Sequence, residues 1–245
     1  MPARIGRDAA LLCPTAALSK ERTLGQACRK TGWQVHAYCL MNNHFHLVLE
    51  TPQPNLALGM KWLLGTCTQR FNRRHRHWGH LFGGRYKAQL IDGRRPGYLR
   101  CACDYVHLNP VRAGIVSGKK KLDSFRWSSY PAYRRPKLRQ SWLRTDRLLG
   151  EHGLAKDGAA TRREFERRMK QARLEPGDQE LVRRGWRIGA EDFRDWLADK
   201  LARCGCKGER ASVYCRNYGF FLACLAKCLQ FPAQISRIIV RQRRT

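Results

Sequence analysis

Acidic residues are scarce in this chain: 19 Asp and Glu stand against 48 Lys and Arg, giving a formal net charge of +29 and a pI near 10.5. Such an excess repels itself in a compact fold unless a polyanion neutralises it, and the commonest polyanion in a cell is nucleic acid. Long apolar runs are missing too. Nothing approaches the roughly 20 residues that span a bilayer, and no basic amphipathic helix with a clean apolar face stands out, so no membrane partner is expected. The apolar patch Ala9 to Cys13 is too short, and broken too early by Pro14, for a signal peptide. The expected location is the cytoplasm. Paired C-x-x-C knuckles are absent although there are 11 cysteines; their scatter implies reduced thiols rather than a disulfide framework or a zinc ribbon. There is no internal repeat.

What is present fits a globular protein, with 43% hydrophobic and 27% charged residues. The length allows one catalytic-sized domain and an appendage. A helix is expected over Ser19–Thr31 with Ser19 as its cap, then a strand over Gln34–Met41, a turn at Asn42-Asn43 and a second strand over His44–Thr51. Leu56, Met60, Leu63, Cys67 and Phe71 fall at helical spacing over Asn55–Arg73. A strand at Arg85–Ile91 precedes a helix opened by Pro96 and halted by Pro110. The order predicts an α+β fold, a ferredoxin-like antiparallel sheet with helices on one face. Residues 136–201 read as a separate accessory helical region, and residues 202–245 as a Cys-rich basic tail without periodicity, expected to be poorly ordered.

The feature with most chemical content is His44-Phe45-His46. In a strand, residues 44 and 46 project from one side while Phe45, Leu47 and Leu49 enter the core. Two neighbouring imidazoles suit a divalent metal that still needs a third ligand. Tyr105 and Asn109, four apart on the third helix, share a helical face. If that helix lies beside the histidines, Asn109 offers an amide oxygen as third ligand and Tyr105 a nucleophile for phosphoryl transfer. Tyr98 competes for that role but has Ala102, not a polar residue, four positions on. Glu50 shares the histidine face and is expected at a solvated rim. His75, His77 and His80 with Cys67 suit no standard zinc spacing. Trp127-Ser128-Ser129-Tyr130 is expected to have a packing role.

The His-x-His strand after Tyr38-Cys39-Leu40-Met41, the segment Gln69–Arg74, Gly79–Lys87 and Tyr105–Gly114 together resemble the single-tyrosine HUH transposases, the insertion sequence 200-like family, in the branch of the REP-associated tyrosine transposases. The likeness covers roughly residues 19–135. It implies a divalent metal, Mg or Mn, held by His44, His46 and Asn109, with Tyr105 as nucleophile. The substrate would be single-stranded or hairpin DNA, cleaved and rejoined through a 5′-phosphotyrosine. Arg70, Arg73, Arg74, Trp78, Arg85, Lys87 and Arg112 would bind that DNA. Monomer and homodimer both stay open. Two departures stand out. Asn42 replaces the family's usual proline, and residues 1–18 contain nothing like the family's first strand, which should pair with the His strand. An exposed sheet edge is therefore expected, as in a truncated or decayed copy. The alternative function is a catalytically inactive DNA-binding remnant of such a transposase.

Overall fold

The computed structural model describes residues 14–84, 86–117, 120–154, 156–174, 182, 187–203 and 237–243. Its elements are α1 (Pro14–Thr31), β1 (Gln34–Leu40), β2 (His44–Glu50), α2 (Leu56–His75), β3 (Lys87–Ile91), α3 (Tyr98–Arg112), α4 (Tyr130–Arg134), α5 (Asp146–Glu151), α6 (Ala159–Leu174), β4 (Arg187–Ile188), α7 (Glu191–Arg203) and β5 (Arg237–Arg243). The α+β expectation holds. One five-stranded sheet runs in the order β1-β2-β5-β3-β4, antiparallel except for the short β3–β4 pair.

The hairpin forms where the alternating sequence places it. Met41 N–H donates to His44 O at 2.9 Å, closing the turn, and β1 pairs with β2 from Gln34 opposite Glu50 to Leu40 opposite Phe45. His36 is an extra residue in that ladder, because Val35 faces Leu49 and Ala37 already faces Val48. Beyond the bulge, Tyr38 shares a face with Leu47, and Cys39 shares the other with His46.

Helices cover both of these faces, a departure from the single-face expectation. On one, Leu24 of α1 and Leu63 and Cys67 of α2 meet Phe45 and Leu47 around one apolar cleft. On the other, α3 packs along β1 and β2. The residues of β1 and β2 are accordingly buried except at the first position of each strand, a pattern of strands covered on both sides rather than half-solvated ones.

The largest departure concerns the tail. Most of residues 202–245 lie outside the described set, but 237–243 form β5 between β2 and β3, antiparallel to both. Put first, this strand gives the order β5-α1-β1-β2-α2-β3, the βαββαβ of a ferredoxin-like unit. The parallel pair β2 and β3, joined through α2, is split by β5 as that topology requires. The open edge expected beside the His strand is thus filled, in register, from the far end of the chain: His46 faces Arg241 and Leu47 faces Val240. The expected first strand itself falls on residues 1–13, outside the described residues, and on the start of α1.

The other edge, at β1, is also covered. Residues 127–129 run alongside it, with Leu40 N–H donating to Trp127 O at 2.8 Å and Ser129 N–H to Tyr38 O at 3.0 Å. Nor is the region after residue 136 separate. Phe165 and Met169 of α6 and Phe193 and Leu197 of α7 belong to the same core as the sheet. Buried Asp92, after β3, receives three Arg94 N–H bonds of 2.8–3.0 Å, and the Arg94 guanidinium lies 5.2 Å and 5.0 Å from the Phe193 and Trp196 rings of α7. The polarity of α6 comes from ion pairs on its outer side, such as Glu164 with Arg167 and Arg168.

Helix limits moved for local reasons. Ser19 lies inside α1, where Thr23 Oγ1 donates to its carbonyl. Pro96 precedes α3, whose N-cap is Gly97 at φ 93°, a conformation that disfavours side chains with a Cβ. Pro110 does not halt α3, which runs on to Arg112.

Val240 is fully buried between Leu47 and Ala88. Val240→Ala should lower unfolding free energy by about 1–3 kcal/mol, and Val240→Asp should abolish a cooperative urea transition. A Val240→Asp protein with the parental midpoint would refute β5 as the inner strand.

Candidate active site

His44 and His46 project from the α3 face of β2, their rings 4.9 Å apart and near perpendicular. His46 is buried and His44 half-buried. Asn43 Oδ1 lies 2.6 Å from His44 Nδ1; in the tautomer with its proton on Nδ1 the imidazole donates to that amide oxygen and keeps the Nε2 lone pair for a metal.

Tyr105, half-buried on α3, faces this pair, with its ring centroid 6.0 Å from that of His46. The Arg112 guanidinium covers the phenol, 4.2 Å from the ring centre, within cation–π range. Asn109 is buried one turn along the same face, and its Nδ2 has no hydrogen-bond acceptor among the described residues. An amide with no acceptor for its nitrogen, on the face that meets two imidazoles, fits an oxygen turned toward a cation. Tyr98, like Tyr105, is partly buried against the core.

The helix is held from behind by a buried polar hub. Ser129 Oγ accepts the Tyr38 N–H of β1 at 2.9 Å and lies 2.8 Å from His107 Nε2 of α3. His107 is wrapped by Tyr130, Tyr133 and Phe165. Burial, aided by nearby His152, pushes its pKa down to about 3, so the imidazole is neutral. One hydroxyl therefore ties the tyrosine helix to the strand next to the histidines. The motif Trp127–Tyr130 was expected only to pack; its hydrogen-bonding role has no local sequence signal, because its partners lie 91 and 22 residues away.

The remaining candidates divide. Arg73 and Arg74 are exposed on the last turn of α2, Trp78 is 97% exposed beyond it, and Lys87 is exposed at the start of β3. Arg70 is half-buried and donates to Thr23 Oγ1 of α1 at 2.6 Å, which gives it a structural bond. Arg85 lies outside the described residues. Glu50 is not a solvated rim group: it is 6% exposed, with His36 Nε2 3.5 Å from its carboxylate. His75 and His77 pack against Phe71, and no group of three or more His, Cys, Asp or Glu side chains gathers as a metal site among the described residues. Cys28, Cys39 and Cys67 are buried free thiols; burial raises Cys28 to about 12 and Cys67 to about 11, which leaves these two inert. No described helix is long and apolar enough to cross a membrane.

A ferredoxin-like sheet carrying paired histidines, faced by a tyrosine on a packed helix, defines the α+β domain. Residues 16–108 match the family model described as "Transposase IS200 like". The matched stretch contains His44, His46 and Tyr105, whereas β5 comes from outside it. No curated protein and no solved structure matches the chain.

Ser129→Ala would leave a strand N–H and a buried imidazole nitrogen without their shared partner, at a cost of about 1–3 kcal/mol for each group. Chemical denaturation should show this, and an unchanged midpoint would remove Ser129 as the tie.

Proposed function

We propose that this protein cuts and rejoins single-stranded DNA with Tyr105 as nucleophile and a divalent ion, Mg or Mn, held by His44, His46 and Asn109. The observation that carries the reading is the contact of Tyr105 with His46, which brings a phenol and two imidazoles to one point. A divalent ion bound there would polarise a phosphate oxygen and offset its charge.

The Tyr105 oxygen forms a bond to phosphorus and loses its proton to solvent as the P–O3′ bond breaks, and the leaving 3′ oxygen takes up a proton. The product is a 5′-phosphotyrosine and a free 3′ hydroxyl. One phosphodiester replaces another, so the reverse attack by a 3′ hydroxyl rejoins DNA without a nucleotide cofactor. Arg112, held over the Tyr105 ring, would offer positive charge to the phosphate. Arg73, Arg74 and Lys87 supply exposed cations for the rest of the strand, with Arg70 and Arg85 as further phosphate contacts. A hairpin with a single-stranded flank is the expected substrate form, and the cytoplasm the expected place.

Incubation with a 5′- or 3′-labelled hairpin oligonucleotide and Mg or Mn should give a covalent adduct. Tyr105→Phe should abolish it, and His46→Ala should lower its rate at least about 100-fold while DNA binding persists. Adduct formation undiminished in Tyr105→Phe would refute the nucleophile. Salt-dependent binding without cleavage under either metal would support the inactive remnant instead.

A further inference from the structure

Between Glu50 and Asp92 the sequence has no acidic residue, yet it holds Lys61, Arg70, Arg73, Arg74, Arg76, Arg85 and Lys87. At the end of α2 this cationic stretch raises one large apolar side chain into solvent. Trp78 is 97% exposed, the most exposed of the large hydrophobic residues described.

The loop that carries it is not slack. Arg76 takes a left-handed conformation at φ 50°, and its N–H donates to Asn72 O. His77 N–H donates to the same carbonyl at 3.0 Å. From the other side, Asn72 Nδ2 donates to Gly79 O at 2.9 Å. Asn72 therefore closes the loop at both ends, with Trp78 at the tip. Beneath it, Phe71 stacks on His77 with ring planes 11° apart, and meets His75 at a tilt of 35° with centroids 4.4 Å apart. A non-glycine residue in the left-handed region is disfavoured, so the loop's hydrogen bonds hold a shape that serves to present the indole. That shape buries nothing of the indole itself.

We infer that the Asn72–Trp78 loop is a pre-shaped stacking platform for one unpaired base, with Arg73, Arg74 and Arg76 taking the adjoining phosphates. This rests on the DNA reading above and adds a distinct part to it. A flat π surface ringed by exposed cations matches a base and its phosphates together. A paired base inside a duplex has no free face to offer, so the platform selects single-stranded flank over duplex. Asn72 acts as a positioning residue, since ordering the loop before contact spares that entropy on binding.

Titration of the full chain with a hairpin bearing a single-stranded flank, and with the same hairpin blunt-ended, tests this. Trp78→Ala should raise the Kd for the flanked hairpin by roughly 5- to 100-fold and change that for the blunt one by less than about twofold. Trp78→Phe should recover most of the loss, and Asn72→Ala should weaken flanked binding alone by a few-fold. The slope of log Kd against log salt should stay parental in Trp78→Ala and fall in Arg73→Ala. Parental affinity of Trp78→Ala for the flanked hairpin would overturn the platform while leaving the DNA reading intact. Equal losses on both hairpins would overturn its selection of the single-stranded flank. Failure of the parent to bind either hairpin at low salt would overturn both readings. Loss in Trp78→Ala of binding to phosphatidylserine vesicles, with DNA affinity parental, would assign the indole to a lipid surface instead.

Discussion

Everything at this site depends on one strand being enclosed from four directions. β2 has β1 on one edge and β5 on the other, α1 and α2 against its Phe45–Leu47 face, and α3 against its histidine face. A strand so enclosed cannot slip by one residue without moving both imidazoles into the apolar core. The positions of His44 and His46 are therefore consequences of sheet register, and register is set by groups that take no part in chemistry.

The tyrosine is fixed by a different device. α3 is lodged between the sheet and a layer built from α4, α5 and α6, with His107 facing the aromatic rings of that layer while Tyr105 faces the histidines. The same helix thus has a packed side and a side that faces the histidines, two residues apart. The regions outside the family match contribute to both: Phe165 supports the helix, and β5 supports the strand.

How much of this was readable beforehand follows from the range of the forces involved. The hairpin, α2, β3 and the Tyr105–Asn109 face were legible, because alternation and helical spacing are local properties of ten or twenty residues. The limits of α1 and α3 were not, since Ser19, Pro96 and Pro110 are weak local signals that packing overrides. Arg237–Arg243 showed nothing, being a short Ile-Ile-Val segment among arginines that becomes a strand only in the slot between β2 and β3. The integration of α6 and α7 was hidden for a similar reason: a few buried aromatic and aliphatic side chains outweigh a surface crowded with ion pairs. Glu50 looked like a rim group because the His36 bulge that brings an imidazole to it is a matter of register. A stretch with no acid for some 40 residues needed the exposed indole beside it before it meant more than solubility.

The pairing of β2 with β5 also sets an order of events in time. The histidine strand is made roughly 200 residues before its partner, a delay of about 10–40 s at ordinary rates of synthesis. Throughout that interval the strand bearing His44 and His46 has a bare edge, open to any other extended segment it meets. The histidines and the tyrosine are thus synthesised well before the strand that completes their sheet, so a nascent chain that has not yet reached β5 holds them without the sheet that aims them.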